Sequence, residues 1–487
     1  MKKLILILTA AVMAVSCSDN LEDLNQNIKD PTSVSGESLF SSAQKQLADQ
    51  VVTPNVNLNN LRLWTQQLQE TTYADESNYD QTTRPIPDNH WREMYRDVLR
   101  DLNEAATIIS ATNNPITNDL KQNKLAIIEV LSVYAFSNLV ETYGDVPYSE
   151  ALDIENLLPK YDDGLTVYKD LISRLTAAVN SMNTGNGSFD SNGTVDLMYN
   201  GNVAGWKKFA NTLKLRMGIM LADVDAGLSQ STVESAVSSG VFSSNADNGS
   251  YQYSANAPNN NPMNNNLVLS GRNDYVAGAT IVDIMNGLED PRRASYFTTI
   301  DGEYLGGEIG TPSTYFNFSH VADRVVDPTE PGVILSYVEA EFLMAEAAAR
   351  GYNVGGSAES HYVAGITASF AYWNAGDPSA YLASSGVDYT SALASSTSTP
   401  AWKQVIGTQA YLGLYNRTFA SYLSVRRLDY PILVQPTDAQ SGFPVRYNYP
   451  VGEQTLNGAN YEAAASAIGG DAPETQLFWD KFYTFDF

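Results

Sequence analysis

The sequence predicts a mostly α-helical fold, in which helical hairpins stack on one another and irregular loops project from the stack. Apolar residues recur at three- to four-residue spacing through most of the chain, as at Leu39, Phe40, Ala43 and Leu47. Short connections rich in Gly, Pro, Asn and Asp separate the periodic segments. Paired helices of this kind are typical of tetratricopeptide-like proteins. No repeat is regular in sequence, so periodicity alone supports only stacked helical hairpins.

The first 16 residues predict a lipoprotein signal peptide. Two lysines precede an apolar run, residues 4–15, that is shorter than the ~20 residues that a membrane-spanning helix needs. The sequence AVSC at residues 14–17 resembles a lipobox, although the usual Leu is absent from its first position. The acidic run that follows, SDNLEDLN, resembles the export signal that sends Bacteroidetes-type lipoproteins to the cell surface.

Cys17 is the only cysteine in the chain. An intrachain disulfide is therefore excluded, and the position of Cys17 after the apolar run predicts that it carries a lipid. The alternative is an ordinary secreted protein with an incidental thiol. We expect residues 17–34 to form a lipid-anchored tether and residues 35–487 a single helical domain, with a loop-rich insert region at 240–332.

Periodicity and local start and stop signals define the helices in order. Asp162 or Asp163 is expected to cap one helix, Gly144 to end another, and Pro400 to occupy a first turn. The stretch between residues 73 and 91 is rich in Asn, Asp, Thr and Pro and predicts a long loop. The predicted helices cover residues 35–49, 57–72, 91–112, 118–143, 163–179, 202–223, 231–239, 275–287, 332–351, 361–373 and 400–427.

The segment from Gly332 to Gly351 predicts the central helix of the stack. Ile334, Val338, Phe342, Ala345 and Ala349 fall on one face of this helix, and Tyr337, Glu341, Met344 and Ala348 form a second face, so we expect neighbours on more than one side.

Two carboxylates of this segment, Glu339 and Glu346, lie on the same side at the edge of the apolar stripe. They could form a pair for acid–base chemistry. We favour the alternative that they are buried and paired with arginines such as Arg350 or Arg426.

The formal net charge of the chain is −26. This sign argues against electrostatic binding of nucleic acid or of anionic lipid. Charged residues make up only 17% of the chain, which also has 29 tyrosines. Neutral polar and aromatic surface suits an extracellular protein that binds uncharged ligands. After the signal peptide we expect no apolar stretch long enough to cross a bilayer.

No catalytic motif is present in the sequence. The three histidines, His90, His320 and His361, lack metal-type spacing. A glycosidase pair of carboxylates stays open from sequence, because 55 acidic residues always offer some pair. The cluster Asp190-Ser191-Asn192 could hold calcium but lacks a complete binding-loop spacing, so no metal or cofactor is predicted.

Seven segments, in this order, resemble the SusD/RagB family of outer-membrane nutrient-binding lipoproteins, and specifically its second SusD-like subfamily. Around Ala420 to Tyr422 the chain departs from the family pattern, in which a Glu and a Trp precede the paired arginines. The segments are NLRLWTQQLQETTY, ETYGDVPYSEAL, GWKKFANTLKLRM, EDPRRASYF, ILSYVEAEFLMAEAAARG, VRRLDYP and FPVRYNYPVGEQTLNGANYEAA with the later FWDK.

The resemblance implies a non-enzymatic lipoprotein at the cell surface, anchored in the outer membrane by its lipid. Such proteins act as lids on a SusC-like TonB-dependent transporter and capture oligosaccharides or, in some members, peptides. A surface glycoside hydrolase, or a scaffold that only seals the transporter, are the alternatives from other classes.

Two loop regions have the composition of a sugar-binding surface, in which aromatic rings stack on pyranose faces and polar groups bind hydroxyls. The resemblance implies ligand contacts in the same regions. Core packing is the alternative for each ring, and Trp64, Trp206 and Trp402 are expected to be core residues. The candidates are Tyr73, Asn78, Tyr79, Arg84 and Trp91 in the first region, and Tyr275, Tyr296, Tyr315 and Phe316 in the second.

Overall fold

Helices dominate the structure, a computed structural model that describes residues 34–111, 118–190 and 192–481. The predictions for the signal peptide, for Cys17 and for residues 17–33 of the tether lie outside these residues. From Gly36 onward the chain forms one compact unit. The predicted fold class, a mostly α-helical stack, is confirmed.

The chain alternates helices of very different lengths with six short strands. The α-helices are α1 (Gly36–Val52), α2 (Leu61–Trp64), α3 (Ile86–Arg92), α4 (Arg100–Ala111), α5 (Asn118–Tyr143), α6 (Gly164–Ser181), α7 (Val203–Met220), α8 (Ala226–Ser238), α9 (Pro262–Asn264), α10 (Ala279–Gly287), α11 (Arg293–Tyr296), α12 (Tyr337–Ala349), α13 (Ala358–Trp373), α14 (Ser379–Leu382), α15 (Tyr389–Ser395), α16 (Ala401–Gly413), α17 (Thr418–Leu428), α18 (Val451–Leu456) and α19 (Gly458–Ala467). The strands are β1 (Leu68–Glu70), β2 (Val146–Pro147), β3 (Tyr161–Asp162), β4 (Gly249–Tyr251), β5 (Tyr275–Ala277) and β6 (Gly332–Leu335). Single turns of other helix types cover Glu93–Leu99, Asn245–Asp247, Asn265–Leu269, Tyr315–Asn317 and Asp323–Val326.

Consecutive helices pair into hairpins, and the hairpins contact one another in series. The pairs α5–α6, α7–α8, α12–α13 and α16–α17 pack together. In the last three pairs the connection is short, as is typical of antiparallel neighbours. Helix α7 contacts α6 and α12, and α12 contacts α16. Helix α17 returns to contact α1 and α2, so the last hairpin packs against the first helices of the unit.

The predicted helix at residues 57–72 is wrong over most of its length. Only Leu61–Trp64 is helical, and Leu68–Glu70 forms strand β1, which pairs antiparallel with β5 through Leu68 and Ala277. The helix predicted from residue 275 likewise starts only at Ala279. This strand pairing joins residues about 200 positions apart, and such a contact overrides local periodicity because it is not encoded in neighbouring residues.

The central helix starts later than predicted. Residues Gly332–Leu335 form strand β6, which pairs antiparallel with β4. Their Val-Ile-Leu run fits a buried strand as well as a helix, and periodicity alone does not distinguish the two. Helix α12 begins after Ser336, whose side chain accepts a hydrogen bond from the Glu339 backbone N–H and so caps the helix.

Two apolar cores meet at helix α12. Val338, Phe342 and Ala345 pack into a smaller core with α13, α15 and α16. Leu343 and Met344 pack into the larger core, which contains most of the other helices. The prediction that this helix has neighbours on more than one side is confirmed.

The two carboxylates of α12 are buried in ion pairs. Glu339 accepts hydrogen bonds of 2.6 and 2.9 Å from the Arg216 guanidinium. Glu346 accepts bonds of 3.0 Å from Arg350 and 2.8 Å from Arg427. Burial with arginine partners is therefore confirmed for both, and Arg350 is a correct partner. Arg426 is not a partner, because it pairs with Asp480 at 3.2 Å.

Helix α5 is the central element of the larger core. By length and composition it is the one helix in the described part of the chain that could span a membrane, contrary to our expectation. In the fold, 83% of its most apolar window is buried by the surrounding helices. Its C-terminal residue, Tyr143, packs against His90, Trp91, Tyr447 and Tyr449. Two of these residues come from the last part of the chain, which completes this core.

Candidate functional site

Strands β1 and β5 bring the two predicted loop regions together. The Ser313 N–H donates to the Glu70 carbonyl at 3.0 Å, and the Gly310 N–H donates to the Gln69 side chain at 2.9 Å. The Asn78 side chain donates to the Gly310 carbonyl at 2.8 Å. The loop that follows β1 and the excursion that follows α11 are therefore joined by hydrogen bonds of backbone and buried side chains.

Three of the predicted rings follow this junction closely in the chain, on the two segments that it joins. Tyr73 is 65% exposed, and Phe316 is 74% exposed. Tyr315 is half-buried, because its ring stacks on His320 with 3.7 Å between ring centroids. Phe316 meets the edge of Tyr315 at 5.4 Å. We call Tyr73, Tyr315 and Phe316 the loop face.

Backbone and charged groups fix the segments beside the loop face. The Thr71 N–H and hydroxyl donate to the carbonyls of Asp274 and Asn273 at 3.0 and 2.6 Å. Arg272 pairs with Asp274 at 2.7 Å, and its side chain is 66% exposed. This pair follows α9 and was not among the predicted residues. No local motif marks it, since the β1–β5 pairing alone brings it to the loop.

Arg84 pairs with Glu76 and lies 3.7 Å from Asp75. Both carboxylates belong to the same loop, so Arg84 holds the loop in shape. The two amide hydrogens of Asn78 are used by the carbonyls of Ala74 and Gly310, both at 2.8 Å. These two predicted residues lie in the correct loop, but the Arg84 guanidinium is paired and both amide hydrogens of Asn78 are bonded to protein.

Two of the predicted rings belong to the core, which corrects their assignment to a ligand face. Tyr79 is 1% exposed; its hydroxyl accepts a hydrogen bond from Gln66 at 3.2 Å, and its ring meets the edge of Phe443. Tyr296 is 0% exposed and stacks on Tyr415 with 4.1 Å between centroids. Neither ring has a free face for a sugar.

Tyr275 and Trp91 are also packed within the protein. The Tyr275 hydroxyl donates to the Pro54 carbonyl at 2.6 Å, and the ring is 8% exposed. Trp91 is partly exposed, but four rings surround its indole within 6.5 Å of its centroid: Tyr95, Tyr143, Tyr161 and Tyr449. Their assignment as ligand contacts is corrected in the same way, because other protein groups occupy their faces.

A pair of buried carboxyl groups lies beneath the loop face. Glu70 ends strand β1 and accepts hydrogen bonds from the N–H and hydroxyl of Ser77 at 3.0 and 2.9 Å. Burial raises the pKa of Glu70 to about 9, and hydrogen bonding and charge from Glu76 add to the rise against the opposing effect of Ser77. This shift favours the protonated form of Glu70 at neutral pH, because a second carboxylate there would repel Glu76.

The three histidines have structural surroundings. His90 lies between Gln50 at 2.8 Å and Asn138 at 2.9 Å, and burial lowers its pKa to about 4 against the opposing Asn138 hydrogen bond. His361 contacts Glu341 at 2.7 Å. Within residues 34–111, 118–190 and 192–481, no group of three His, Cys, Asp or Glu side chains could hold a metal ion. The calcium candidate includes Ser191, which lies outside these residues.

Comparison with known proteins identifies the family of this chain. The family model of the second SusD-like group, described as "Starch-binding associating with outer membrane", matches residues 27–450. This chain belongs to the SusD/RagB family. The family resemblance stated from sequence is thereby confirmed. Members of this family are binding proteins, not enzymes, and the family is associated with the outer membrane. No similar protein was found among curated sequences.

Solved structures of SusD homologues resemble this family member over nearly their whole length. A chitin-binding SusD homologue from Flavobacterium johnsoniae has 25% identity and a TM-score of 0.77, with 92% of this chain and 98% of the other covered. A SusD homologue from Bacteroides uniformis has 25% identity and a TM-score of 0.75, with 91% and 99% covered. A homologue from Bacteroides vulgatus, at 23% identity and a TM-score of 0.78 over 91% and 97%, shares the fold.

Proposed function

We propose that this SusD/RagB-family protein captures oligosaccharides at the cell surface and delivers them to a SusC-like TonB-dependent transporter. The observation that supports glycan capture is the loop face, where Tyr73 and Phe316 expose 65% and 74% of their surfaces on two loops joined by hydrogen bonds. Aromatic rings exposed on a fixed loop bind sugars through stacking, with little loss of side-chain freedom. The starch- and chitin-binding descriptions of its relatives agree with this ligand class.

A peptide-binding role is the second candidate within the same family. Exposed aromatic rings also bind apolar peptide side chains, so the loop face does not exclude it. The sequence alternatives of a surface glycoside hydrolase and a sealing scaffold have less support, because family members are binding proteins and the loop face offers binding groups. Lipid attachment at Cys17 and exposure at the cell surface remain parts of this proposal.

Binding measurements on loop-face variants test the proposal. Tyr73→Ala and Phe316→Ala should each weaken binding of maltoheptaose or chitohexaose by about fivefold to tenfold, since one stacked ring contributes roughly 1 kcal/mol. Isothermal titration calorimetry measures the affinity, and thermal unfolding should give an unchanged Tm for both variants. Tyr73→Phe keeps the ring and should retain most of the affinity.

Tyr79→Ala is the contrasting variant in the same loop. Tyr79 is 1% exposed, so its truncation should cost about 3–5 kcal/mol of stability and lower the Tm. Unchanged saccharide affinity in Tyr73→Ala and Phe316→Ala would refute the loop face as the glycan site. Retention of a peptide library by wild type, reduced in the same variants, would favour the peptide role.

A fixed patch of exposed aliphatic side chains supports the transporter as a partner. Ile154, Leu157 and Leu158 are between 56% and 84% exposed, and Val451 and Leu456 are 65% and 76% exposed. We call these five residues the aliphatic patch. Contiguous exposed apolar surface of this kind marks protein contacts more often than single exposed residues do.

The two halves of the aliphatic patch are held together by hydrogen bonds. Asn457 and Asn460, which flank the start of α19, donate to the carbonyls of Pro159 and Leu158 at 2.9 and 3.1 Å. Tyr161 donates to Glu453 of α18 at 2.9 Å. The loop between β2 and β3 is therefore held in a conformation in which Leu157 and Leu158 remain exposed to solvent. Asp153 and Glu155 are exposed beside these leucines and would repel an anionic membrane surface. They favour a protein partner whose apolar contact surface is surrounded by basic groups.

A further inference from the structure

A cavity lies among elements that contribute nothing to the loop face. It has a volume of about 550 Å³, within the range of about 300–1,000 Å³ that is usual for ligand pockets. Its wall combines the start of α16 with the ends of α12 and α17 and with the segments beside them. We call it the Trp402 cavity; its principal lining residues are Asp223, Arg350, Trp402, Lys403, Tyr430 and Ile432.

Trp402 differs from the other five tryptophans of the chain. Trp64, Trp206, Trp373 and Trp479 are at most 2% exposed, and Trp91 is surrounded by four rings. Trp402, which the sequence predicts to be a core residue, is only partly buried, because it lies in the first turn of α16 at the cavity. Its ring contacts no other aromatic ring among the described residues.

Tyr430 has the same character on the opposite element of the cavity wall. It is partly exposed, and among residues 34–111, 118–190 and 192–481 its ring has no aromatic neighbour and its hydroxyl no hydrogen bond. Many other tyrosines bury the ring and bond the hydroxyl, as Tyr79, Tyr296 and Tyr422 do. Two partly exposed aromatic side chains therefore line one cavity, and neither contacts another aromatic ring of the described residues.

The charged groups of the cavity are already oriented by one another. Arg350 donates two bonds to Asp223 at 2.8 and 2.9 Å and lies over the Trp402 ring, with 5.3 Å from its guanidinium carbon to the ring centroid. Lys403 pairs with Asp429 at 3.2 Å. Burial would raise the pKa of Asp223, but the hydrogen bonds and charge of Arg350 outweigh it and lower that pKa.

This arrangement favours a neutral saccharide over other ligands. Each cation has an anion beside it, so an ionic ligand would have to displace a formed ion pair. Fixed carboxylates and guanidinium groups bind sugar hydroxyls through their remaining acceptors and N–H donors, as charge-assisted hydrogen bonds. Arg350 covers one face of Trp402, and the ring also packs against the smaller apolar core. The part of the indole that stays exposed at the cavity is the surface that a pyranose ring would contact.

We propose that the Trp402 cavity is a second saccharide-binding site, separate from the loop face. The ligand class rests on the proposed function, whereas the site rests on its own residues. Two sites on one protein hold a long glycan more tightly than either site alone, because the second contact forms at high effective concentration. Capture of polymeric nutrient is the role that two sites would serve.

A loop-face double variant, Tyr73→Ala with Phe316→Ala, isolates the second site. In this background, maltoheptaose or chitohexaose should still bind and should change tryptophan fluorescence, since Trp402 is the one tryptophan of the described chain that is partly exposed and free of ring contacts. Adding Tyr430→Ala, which keeps the fluorescent reporter, should weaken this binding at least fivefold. Adding Trp402→Ala should abolish it, and Trp402→Phe should restore part of it.

The outcomes separate this inference from the proposed function. Residual binding that is unaffected by both Tyr430→Ala and Trp402→Ala overturns the inference, provided that circular dichroism shows both variants folded. If the loop-face variant binds as tightly as wild type and Trp402→Ala removes all binding, the inference stands and the loop face fails. Wild-type protein that binds neither probe overturns both proposals.

Discussion

Tyr73 and Tyr79 share a loop, yet only Tyr73 reaches solvent. At Tyr79 the backbone has a φ of 65°, a left-handed conformation that turns the chain inward. The Tyr79 ring then meets Phe443, which comes from the far end of the chain. The composition of the loop predicts a ligand contact for both tyrosines equally. The long-range contact with Phe443 determines that Tyr79 is buried and that only Tyr73 is available to a ligand.

The stability of the fold depends on pH through Glu70, which lies at the end of β1. Its pKa of about 9 in the fold lies above the ordinary value of 4.5, so the folded state favours the protonated form. The stabilisation is complete below pH 4.5 and is lost as pH rises toward 9. Glu70→Gln cannot ionise, and its Tm should fall less than that of wild type between about pH 5 and 9.

Thermal unfolding of both proteins across this pH range measures the effect. Glu155→Gln, which changes an exposed carboxylate away from Glu70, is the matched control and should follow wild type. Identical pH profiles for wild type and Glu70→Gln would show that Glu70 is ionised in the fold.

Helix α12 depends on a buried ion pair between two helices. The Glu339 carboxylate meets Arg216 of α7, and the Arg216 guanidinium also lies 5.4 Å from the centre of the Tyr134 ring. Glu339→Ala leaves that guanidinium buried without a partner and should cost about 3–5 kcal/mol in urea unfolding. Replacing both residues by Met should cost clearly less than the sum of the single changes.

The double replacement tests whether the unpaired buried charge causes the loss of stability. If Glu339→Ala costs under about 1 kcal/mol, the pair contributes only packing. If the double variant is as unstable as the sum of the two single variants, the loss comes from shape and not from the isolated charge.

Sequence predicted the elements that local signals define. Helix α5 has the predicted bounds, and the predicted cap at Asp163 lies where helix α6 begins. The sequence prediction was wrong where contacts between distant segments determine the local structure, as in the pairing of β1 with β5 and of β6 with β4. In the candidate site it identified both loops and the exposed Tyr73 and Phe316. The sequence could not distinguish these exposed rings from buried ones. Tyr296, for example, is buried through its stacking on Tyr415, which lies far away in the sequence.

The molecule as a whole combines a strongly negative charge with one fixed apolar surface, the aliphatic patch. If the proposed transporter binds this patch, Leu157→Asp should weaken the association at least tenfold without lowering the Tm, because Leu157 is 80% exposed. Co-purification of the two proteins measures the association. Leu269→Asp, at a leucine that is 61% exposed elsewhere, is the control and should bind normally.

Two results would contradict the assignment of this surface to the transporter. Normal association of Leu157→Asp would place the contact elsewhere on the molecule. A wild-type protein that dimerises in solution, and a Leu157→Asp variant that does not, would make a second copy of this chain the occupant.

The last part of the chain fills the centre of the larger core. Tyr447 and Tyr449 pack on Tyr143, and Arg446 donates to the Tyr143 carbonyl at 3.0 Å. Arg426 and Asp480 form a fully buried pair beside them. This core can therefore close only after almost the whole chain has been synthesised. We expect a chain that stops before Arg446 to leave the core open and to be degraded by proteases.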